Sequence, residues 1–140
     1  MSGADKPMPR HRVLIADDEE STRLLLARVL SSELDVEVQL AGTCEQALRL
    51  SEECAFDAIV LDLLMPGIGG FAVLKEIRSR PPNMSTPVVV VTVVSDPDMR
   101  EQCAKAGSNA YLIKPIERET LAATVKAQIA ARKGARREGS

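Results

Sequence analysis

Aromatic residues are nearly absent from this chain of 140 residues, at 2% of the composition and with no tryptophan. Without them, the surface lacks the stacking platforms on which single-stranded nucleic acids are usually held. Hydrophobic residues still make up 45% of the chain, so the core must be built almost entirely from aliphatic side chains. A chain of this size and apolar content is expected to fold as one soluble globular domain.

The sequence also lacks a strong charge of either sign and a long apolar segment. Its formal net charge is −2, from 18 basic and 20 acidic residues, which argues against a nucleic-acid-binding surface across the fold. The longest apolar stretch, 88–94, is interrupted by Thr92 and is much shorter than a membrane span. Residues 1–11 lack the apolar centre of a signal peptide. We therefore expect a cytoplasmic domain that binds neither membrane nor nucleic acid itself.

Three cysteines are present, Cys44, Cys54 and Cys103, with neither a CxxC spacing nor a cysteine and histidine pattern. An odd number without such spacing predicts neither a disulfide framework nor a zinc site. We interpret them as small buried apolar side chains in a reducing compartment.

Five short strands are predicted from the hydrophobic pattern. Four are apolar runs typical of buried parallel strands, at 13–16, 58–61, 88–91 and 110–113. The fifth, 36–40, alternates apolar and polar residues, which predicts a half-exposed strand at one edge of the sheet. Helical patterns, with their caps included, separate the strands at 19–30, 43–54, 71–78, 96–107 and 117–131. This alternation predicts an α/β fold, a doubly wound sandwich around a parallel sheet.

Particular residues refine this outline. Thr43 and Gln46 form a predicted capping box, and a proline with three glycines excludes regular structure from 65–70. Four apolar residues of the first helix are expected to be available to face the sheet: Leu24, Leu25, Ala27 and Leu30. The predicted domain spans 12–131, after a flexible leader at 1–11 and before a basic flexible tail or truncated linker at 132–140.

Each of the four buried strands ends on a polar group that can bind phosphate or a divalent cation. These groups are Asp17 with Asp18, Asp62, Thr92 and Lys114. In an open α/β sheet, ligands bind outside the carboxyl ends of the strands. The sequence therefore predicts that three carboxylates, a hydroxyl group and an ammonium group meet at one edge.

Three carboxylates at one edge require a cation, because two unit charges about 4 Å apart repel by about 4 kcal/mol at an effective dielectric constant of about 20. Magnesium fits, since it prefers hard oxygen ligands and keeps water or phosphate oxygens in its shell. An aspartate beside the metal can accept a phosphoryl group as an acyl phosphate. Lys114 and Thr92 are suited to contact that group, so the pattern favours magnesium-dependent phosphoryl transfer.

In order and spacing, these residues resemble the receiver domain of two-component response regulators over about Arg12 to Ile129. The motifs that carry the resemblance are Asp17-Asp18, the segment 62–66 with Gly70 beyond it, Thr92, and Lys114-Pro115. The resemblance implies a flavodoxin-like, CheY-like fold with strand order 2-1-3-4-5. It also implies phosphorylation of Asp62 by a histidine kinase or a histidine phosphotransfer protein.

The same resemblance assigns ligands to the metal. Asp18 and Asp62 would bind Mg²⁺ directly, Asp17 would bind it directly or through water, and the backbone carbonyl of Leu64 would complete the protein ligands. Lys114 would contact the phosphoryl group and precede a cis peptide bond to Pro115, which proline permits at modest cost.

The resemblance further implies a switch that links Thr92 to Tyr111, which stands at the family's aromatic position three residues before the lysine. Thr92 would move toward the phosphoryl group, and Tyr111 would turn into the space it leaves. The fourth helix, fifth strand and fifth helix would then present a changed face to an unknown downstream protein, an output domain or a second copy of the chain.

Some residues depart from the usual family pattern. Val93 stands where a small residue is common, and both Leu64 and Val94 are apolar residues that cannot hold an attacking water. We therefore expect restricted access to the phosphoryl group and slow hydrolysis of phosphorylated Asp62. Ile116 replaces a frequent phenylalanine, which affects the output face.

Two alternatives stay open. An aspartyl-phosphate phosphatase usually needs a second carboxylate two residues after its nucleophile, where this chain has Leu64. A phosphorylation-independent adaptor would use the fold and surface alone, although all the site residues are present. The favoured interpretation is a signalling switch that catalyses only its own phosphorylation and dephosphorylation, rather than an enzyme with turnover.

Overall fold

The computed structural model describes the backbone of residues 11–139 and the side chains of residues 11–132. Within that part of the chain, strands and helices alternate strictly. They are β1 (His11–Ala16), α1 (Glu20–Glu33), β2 (Val36–Ala41), α2 (Cys44–Glu53), β3 (Ala58–Leu61), α3 (Gly70–Ser79), β4 (Val88–Thr92), α4 (Pro97–Ala106), β5 (Ala110–Ile113) and α5 (Arg118–Gly139). The strands form one parallel sheet in the order β2-β1-β3-β4-β5, which confirms the predicted fold and strand order.

Successive side chains of a strand point to opposite sides, so the buried strands present apolar side chains on both faces of the sheet. Helices cover both faces. On one face, side chains of β1, β3 and β4 such as Leu14 and Ile59 pack against α2, α3 and α4. On the other, side chains such as Val13 and Val60 pack against α1 and α5. Each fully buried aliphatic side chain contributes about 1.5–3 kcal/mol to folding. β2 is the half-exposed edge strand, as predicted.

Local capping accounts for several helix ends. The Thr43 hydroxyl accepts a hydrogen bond from the Gln46 N–H at 3.0 Å, which confirms Thr43 as the cap of α2. The Gln46 side chain accepts from the Gly42 N–H at 2.8 Å, one residue before the N–H that a capping box would use. Asp96 caps α4 through the Asp98 N–H. α4 ends at Gly107, whose φ of 112° lies in the left-handed region that favours glycine.

The first helix differs from the prediction in its buried face. Leu24 and Leu25 were expected to face the sheet, but their exposed fractions are 47% and 57%, whereas Leu26, Val29 and Leu30 are buried. A helix turns by about 100° per residue, so Leu24 lies about 120° around the axis from Leu30. Four apolar residues close together in sequence cannot all lie on one narrow face.

The ends of the chain also differ in part from the prediction. His11, placed in the leader, is the first residue of β1, and the rest of the leader lies outside the described residues. α5 continues past its predicted end at Ala131 to Gly139, so the segment interpreted as a tail or linker extends the last helix. Arg132 anchors this extension, since its guanidinium donates to the Phe56 carbonyl at 2.8 Å. The assignment of 132–140 as a linker stays a prediction.

Candidate functional site

Three carboxylates converge at the carboxyl edge of the sheet, where the neighbouring strands β1 and β3 end. One oxygen from each of Asp17, Asp18 and Asp62 lies within 4.8 Å of the others. Asp17 and Asp62 are only 1% and 6% exposed, whereas Asp18 is exposed to solvent. Buried carboxylates of like charge stay ionised only when cations or hydrogen bonds compensate them. The predicted acidic cluster is therefore brought together, with one open side.

Lys114 supplies part of that compensation from the end of β5. Its Nζ lies 2.9 Å from Asp17 Oδ2 and 3.2 Å from Asp62 Oδ2, so it bridges two strand ends. The sequence analysis expects Lys114 beside the phosphoryl group at Asp62, which agrees with this second contact, whereas the shorter contact with Asp17 was not predicted. Burial lowers the pKa of Lys114, but the hydrogen bond to Asp17 and the charge of Asp62 raise it by more. The net pKa lies above the ordinary lysine value, so the ammonium group is charged at neutral pH.

Backbone N–H groups fix the remaining oxygen of each buried carboxylate. The Leu64 N–H donates to Asp62 Oδ1 at 3.0 Å, and the Glu19 N–H donates to Asp17 Oδ1 at 2.9 Å. Both carboxylates are thus held between an N–H group and the Lys114 ammonium. These bonds set the orientation of the acidic groups before any ligand binds.

The loop after Asp62 is shaped by a close approach at Gly70. This glycine begins α3 rather than ending the predicted loop, and its N–H donates to the Leu63 carbonyl at 3.0 Å. A Cβ atom at Gly70 would overlap the backbone carbonyl of Asp62. Glycine at this position therefore allows α3 to start directly against the backbone of Asp62 and Leu63. Lys114 and Pro115 are joined by a cis peptide bond, as predicted.

Thr92 and Tyr111 meet the same backbone segment. Thr92 is fully buried at the end of β4, and its Oγ1 accepts a hydrogen bond from the Val94 N–H at 3.3 Å. The Tyr111 hydroxyl donates to the Val94 carbonyl at 2.6 Å, and the residue is only 7% exposed. The Arg100 guanidinium lies 5.7 Å from the ring centroid. Tyr111 is therefore turned inward in this structure. The prediction placed this inward position only in the phosphorylated state.

The apolar residues expected to flank the site differ in exposure. Leu64 is 54% exposed, Val93 is exposed and Val94 is half-buried. Val93 lines a groove of about 330 Å³ that also includes Leu25 of α1 and Lys114. Apolar side chains therefore line the side of the site that faces α1.

Arg23 and Gly42 belong to the same edge, although the sequence pattern does not predict them there. The Arg23 Nη1 donates to the backbone carbonyl of Asp17 at 2.8 Å, and its guanidinium lies against Gly42. An arginine within the first turns of α1 gives no separate signal in the sequence, because charged residues are common on helices. Only the packing of α1 against the ends of β1 and β2 places Arg23 at this edge.

Comparison with known proteins identifies the family. The family model for the response regulator receiver domain matches residues 13–126. Transcriptional regulatory protein PdtaR of Mycobacterium tuberculosis is 39% identical over 113 residues, which cover 81% of this chain and 53% of PdtaR. Sensory/regulatory protein RpfC of Xanthomonas campestris is 36% identical over 107 residues, which cover 75% of this chain and 15% of RpfC. The chain thus spans about half of PdtaR and a small part of RpfC.

Solved structures agree with this match. A response regulator from Chloroflexus aurantiacus, described as putative, is 34% identical with a TM-score of 0.80, covering 89% of this chain and 99% of that chain. The receiver domain of sensor histidine kinase PA1611 from Pseudomonas aeruginosa, described with a magnesium ion in its active site cleft, is 28% identical with a TM-score of 0.78. The match covers 86% of this chain and 98% of that one. This chain belongs to the response regulator receiver domain family of two-component systems.

Proposed function

We propose that this receiver domain is a phosphorylation-controlled switch that accepts a phosphoryl group at Asp62 in a magnesium-dependent reaction. The observation that carries the proposal is the cluster of three carboxylates, two of them bridged by Lys114. The cluster lies at the carboxyl edge of a doubly wound sheet, where such folds bind their ligands.

The residues present fit a magnesium ion. Their oxygens are the hard ligands that Mg²⁺ prefers, and the exposed Asp18 leaves one side open to the waters that this ion keeps. Asp18, Asp62 and the backbone carbonyl of Leu64 would hold it directly, and Asp17 directly or through water. When bound, it supplies positive charge beside the carboxylates and the incoming phosphoryl group.

Phosphoryl transfer at Asp62 uses the chain's own groups in defined roles. A carboxylate oxygen of Asp62 forms a bond to phosphorus while the bond from phosphorus to the donor's histidine nitrogen breaks, and the electron pair leaves on that nitrogen. The Leu64 N–H and the Lys114 ammonium orient the attacking carboxylate. After transfer, Lys114 is placed to pair with a phosphoryl oxygen, as phosphoryl transfer requires chiefly positioning and charge neutralisation.

The switch would run through Thr92, Val94 and Tyr111. Phosphorylation adds about −1.5 to −2 charges with strong acceptor oxygens. Movement of the Thr92 side chain to donate a hydrogen bond to these oxygens would lengthen its contact with the Val94 N–H. It would also leave space beside the buried Tyr111, whose hydroxyl bonds the carbonyl of the same Val94, so the inward position of Tyr111 would be favoured. The face formed by α4, β5 and α5 would then present one conformation to a downstream protein, an output domain or a second copy of the chain.

A histidine kinase or histidine phosphotransfer protein is the proposed donor. Membership of the receiver family supports this donor class, and so does the apolar rim of the site. Leu25 and Val93 expose large apolar side chains around the groove that includes Lys114. Exposed apolar side chains grouped in this way are typical of a surface that contacts another protein.

Phosphate uptake tests the proposal directly. The protein is incubated with acetyl phosphate and Mg²⁺, and its intact mass is measured. We expect one phosphoryl group on the natural chain, none on Asp62→Asn, and none when the metal is chelated. The matched control is Asp35→Asn, an exposed aspartate outside the cluster, which should be labelled normally.

Two results would reject the switch. Normal uptake by Asp62→Asn would place the acceptor elsewhere, and failure of the natural chain both to take up phosphate and to bind beryllofluoride would favour the phosphorylation-independent adaptor. Continuous release of phosphate over many turnovers would instead indicate a phosphatase. Leu64 weighs against that outcome, because it offers no acid or base two residues after Asp62.

A further inference from the structure

Arg23 joins the ends of the first two strands beneath the acidic cluster. It lies in the second turn of α1, is half-buried, and donates from Nη1 to the backbone carbonyl of Asp17 at 2.8 Å. We infer that Arg23 is a positioning residue for the metal site, which sets the orientation of the Asp17-Asp18 corner. This inference rests on the proposed function of the cluster as a magnesium site.

The structure provides a fitted place for the guanidinium at Gly42. A Cβ atom at position 42 would lie only 2.9 Å from the Arg23 Nη1, 3.3 Å from Cζ and 3.6 Å from Nη2. The planar group therefore lies against the glycine with no room for a side chain between them. Gly42 is itself held by the Gln46 side chain, which accepts its N–H at 2.8 Å. The position of the glycine against which Arg23 packs is thus fixed by the first turn of α2.

Asp17 is consequently held at four atoms. Its N–H donates to the Ala41 carbonyl at 3.1 Å, and its carbonyl accepts from Arg23. Its two carboxylate oxygens accept from the Glu19 N–H and from the Lys114 Nζ. Among the described residues, Arg23 is the only one whose side chain hydrogen-bonds to the backbone of Asp17. That backbone leads directly into Asp18, the exposed carboxylate of the cluster.

Positive charge alone does not explain this arrangement. A cation beside the site would repel Mg²⁺, so a purely electrostatic role for Arg23 would weaken metal binding. A guanidinium can fill the flat space against Gly42 and donate to a carbonyl at the same time, whereas a lysine ammonium has no plane to fill that space. Groups that orient metal ligands typically change metal affinity by about 10–100-fold when they are replaced.

The test measures Mg²⁺ affinity by isothermal titration calorimetry with Mg²⁺ alone. We expect Arg23→Ala, Arg23→Lys and Gly42→Ala each to weaken binding by about tenfold. Gly42→Ala keeps the arginine but displaces its guanidinium, so it tests position separately from charge. Arg28→Ala is the matched control, because Arg28 is an exposed arginine on the same helix, and its affinity should stay unchanged.

A second readout separates positioning from loss of folding. The Mg²⁺ concentration that half-saturates phosphate uptake should rise in the three variants, while the uptake rate at saturating Mg²⁺ returns close to that of the natural chain. Natural affinity in Arg23→Lys or in Gly42→Ala would overturn the inference and leave the proposed function intact. If the natural chain itself does not bind Mg²⁺, both the inference and the magnesium-dependent function fail.

Discussion

At the scale of single residues, the lifetime of the proposed phosphoryl group depends on Leu64 and Val94. Hydrolysis needs a water held in line with the phosphorus atom, and a polar side chain at the rim is the usual way to hold it. Leu64 is 54% exposed and Val94 is half-buried, so both positions are accessible to solvent. Neither side chain carries an atom that can accept or donate a hydrogen bond to water.

We expect phosphorylated Asp62 to hydrolyse faster in Leu64→Asn and in Val94→Glu, by about tenfold, because each change adds a group that can orient water. The measurement is the decay of phosphorylated protein by intact mass after the phosphodonor is removed, at saturating Mg²⁺. Ile68→Asn is a suitable control, since it introduces the same amide at another exposed position of this loop. An unchanged half-life in both test variants would contradict the expectation.

At the scale of elements, the start of α3 is packed against the residue that is proposed to be phosphorylated. Gly70 begins the helix, and a side chain there would overlap the Asp62 carbonyl and approach Leu63. Its φ is not in the left-handed region, so conformational freedom is not the reason for glycine here. The reason is the short distance between the helix and the end of β3.

Gly70→Ala is therefore expected to lower the free energy of unfolding by about 3 kcal/mol, at the upper end of overpacking effects. Urea unfolding followed by circular dichroism measures this. Gly67→Ala is the comparison, because a Cβ atom there meets nothing within 4 Å and only the φ of 95° opposes it. That strain costs about 1–2 kcal/mol. If Gly70→Ala is no more destabilising than Gly67→Ala, the close approach is not what requires glycine.

At the scale of the whole molecule, a buried polar network ties together the edge of the sheet opposite the site. The Asn83 side chain donates to the Ser51 carbonyl at 2.6 Å and to the Cys54 carbonyl at 2.7 Å. Its Oδ1 accepts from the Phe56 N–H at 2.9 Å and from the Thr86 hydroxyl at 2.8 Å. One amide thus connects the end of α2, the approach to β3 and the connection before β4.

Asn83→Ala should lower the free energy of unfolding by about 3 kcal/mol, because buried backbone groups left without partners cost about 1–3 kcal/mol each. Mg²⁺ affinity should not change, since the network and the acidic cluster lie at opposite edges of the sheet. Urea unfolding and calorimetry measure the two quantities on the same protein. Ser85→Ala, at an exposed position of the same connection, is the control. A loss of Mg²⁺ affinity at natural stability would refute the separation of the two edges.

Most of the fold was predictable because its signals are local. Apolar runs such as 58–61 predict buried strands at short range, and capping residues such as Thr43 mark helix starts without knowledge of the rest of the chain. The exposed leucines of α1 were mispredicted for the same reason. Periodicity shows that a helix has an apolar face, but the position of the sheet decides which residues occupy it.

The sequence by itself determined which chemical groups reach the carboxyl edge, since buried parallel strands must end there. Thr92 is the last residue of its strand, and Asp17, Asp62 and Lys114 each directly follow one. Only the tertiary structure decided how these groups pair. The Lys114 bridge joins residues 97 positions apart, and the Arg23 contact depends on the space left by Gly42. Distances of a few ångströms between side chains depend on how helices and strands pack together, and no local pattern of residues encodes that packing.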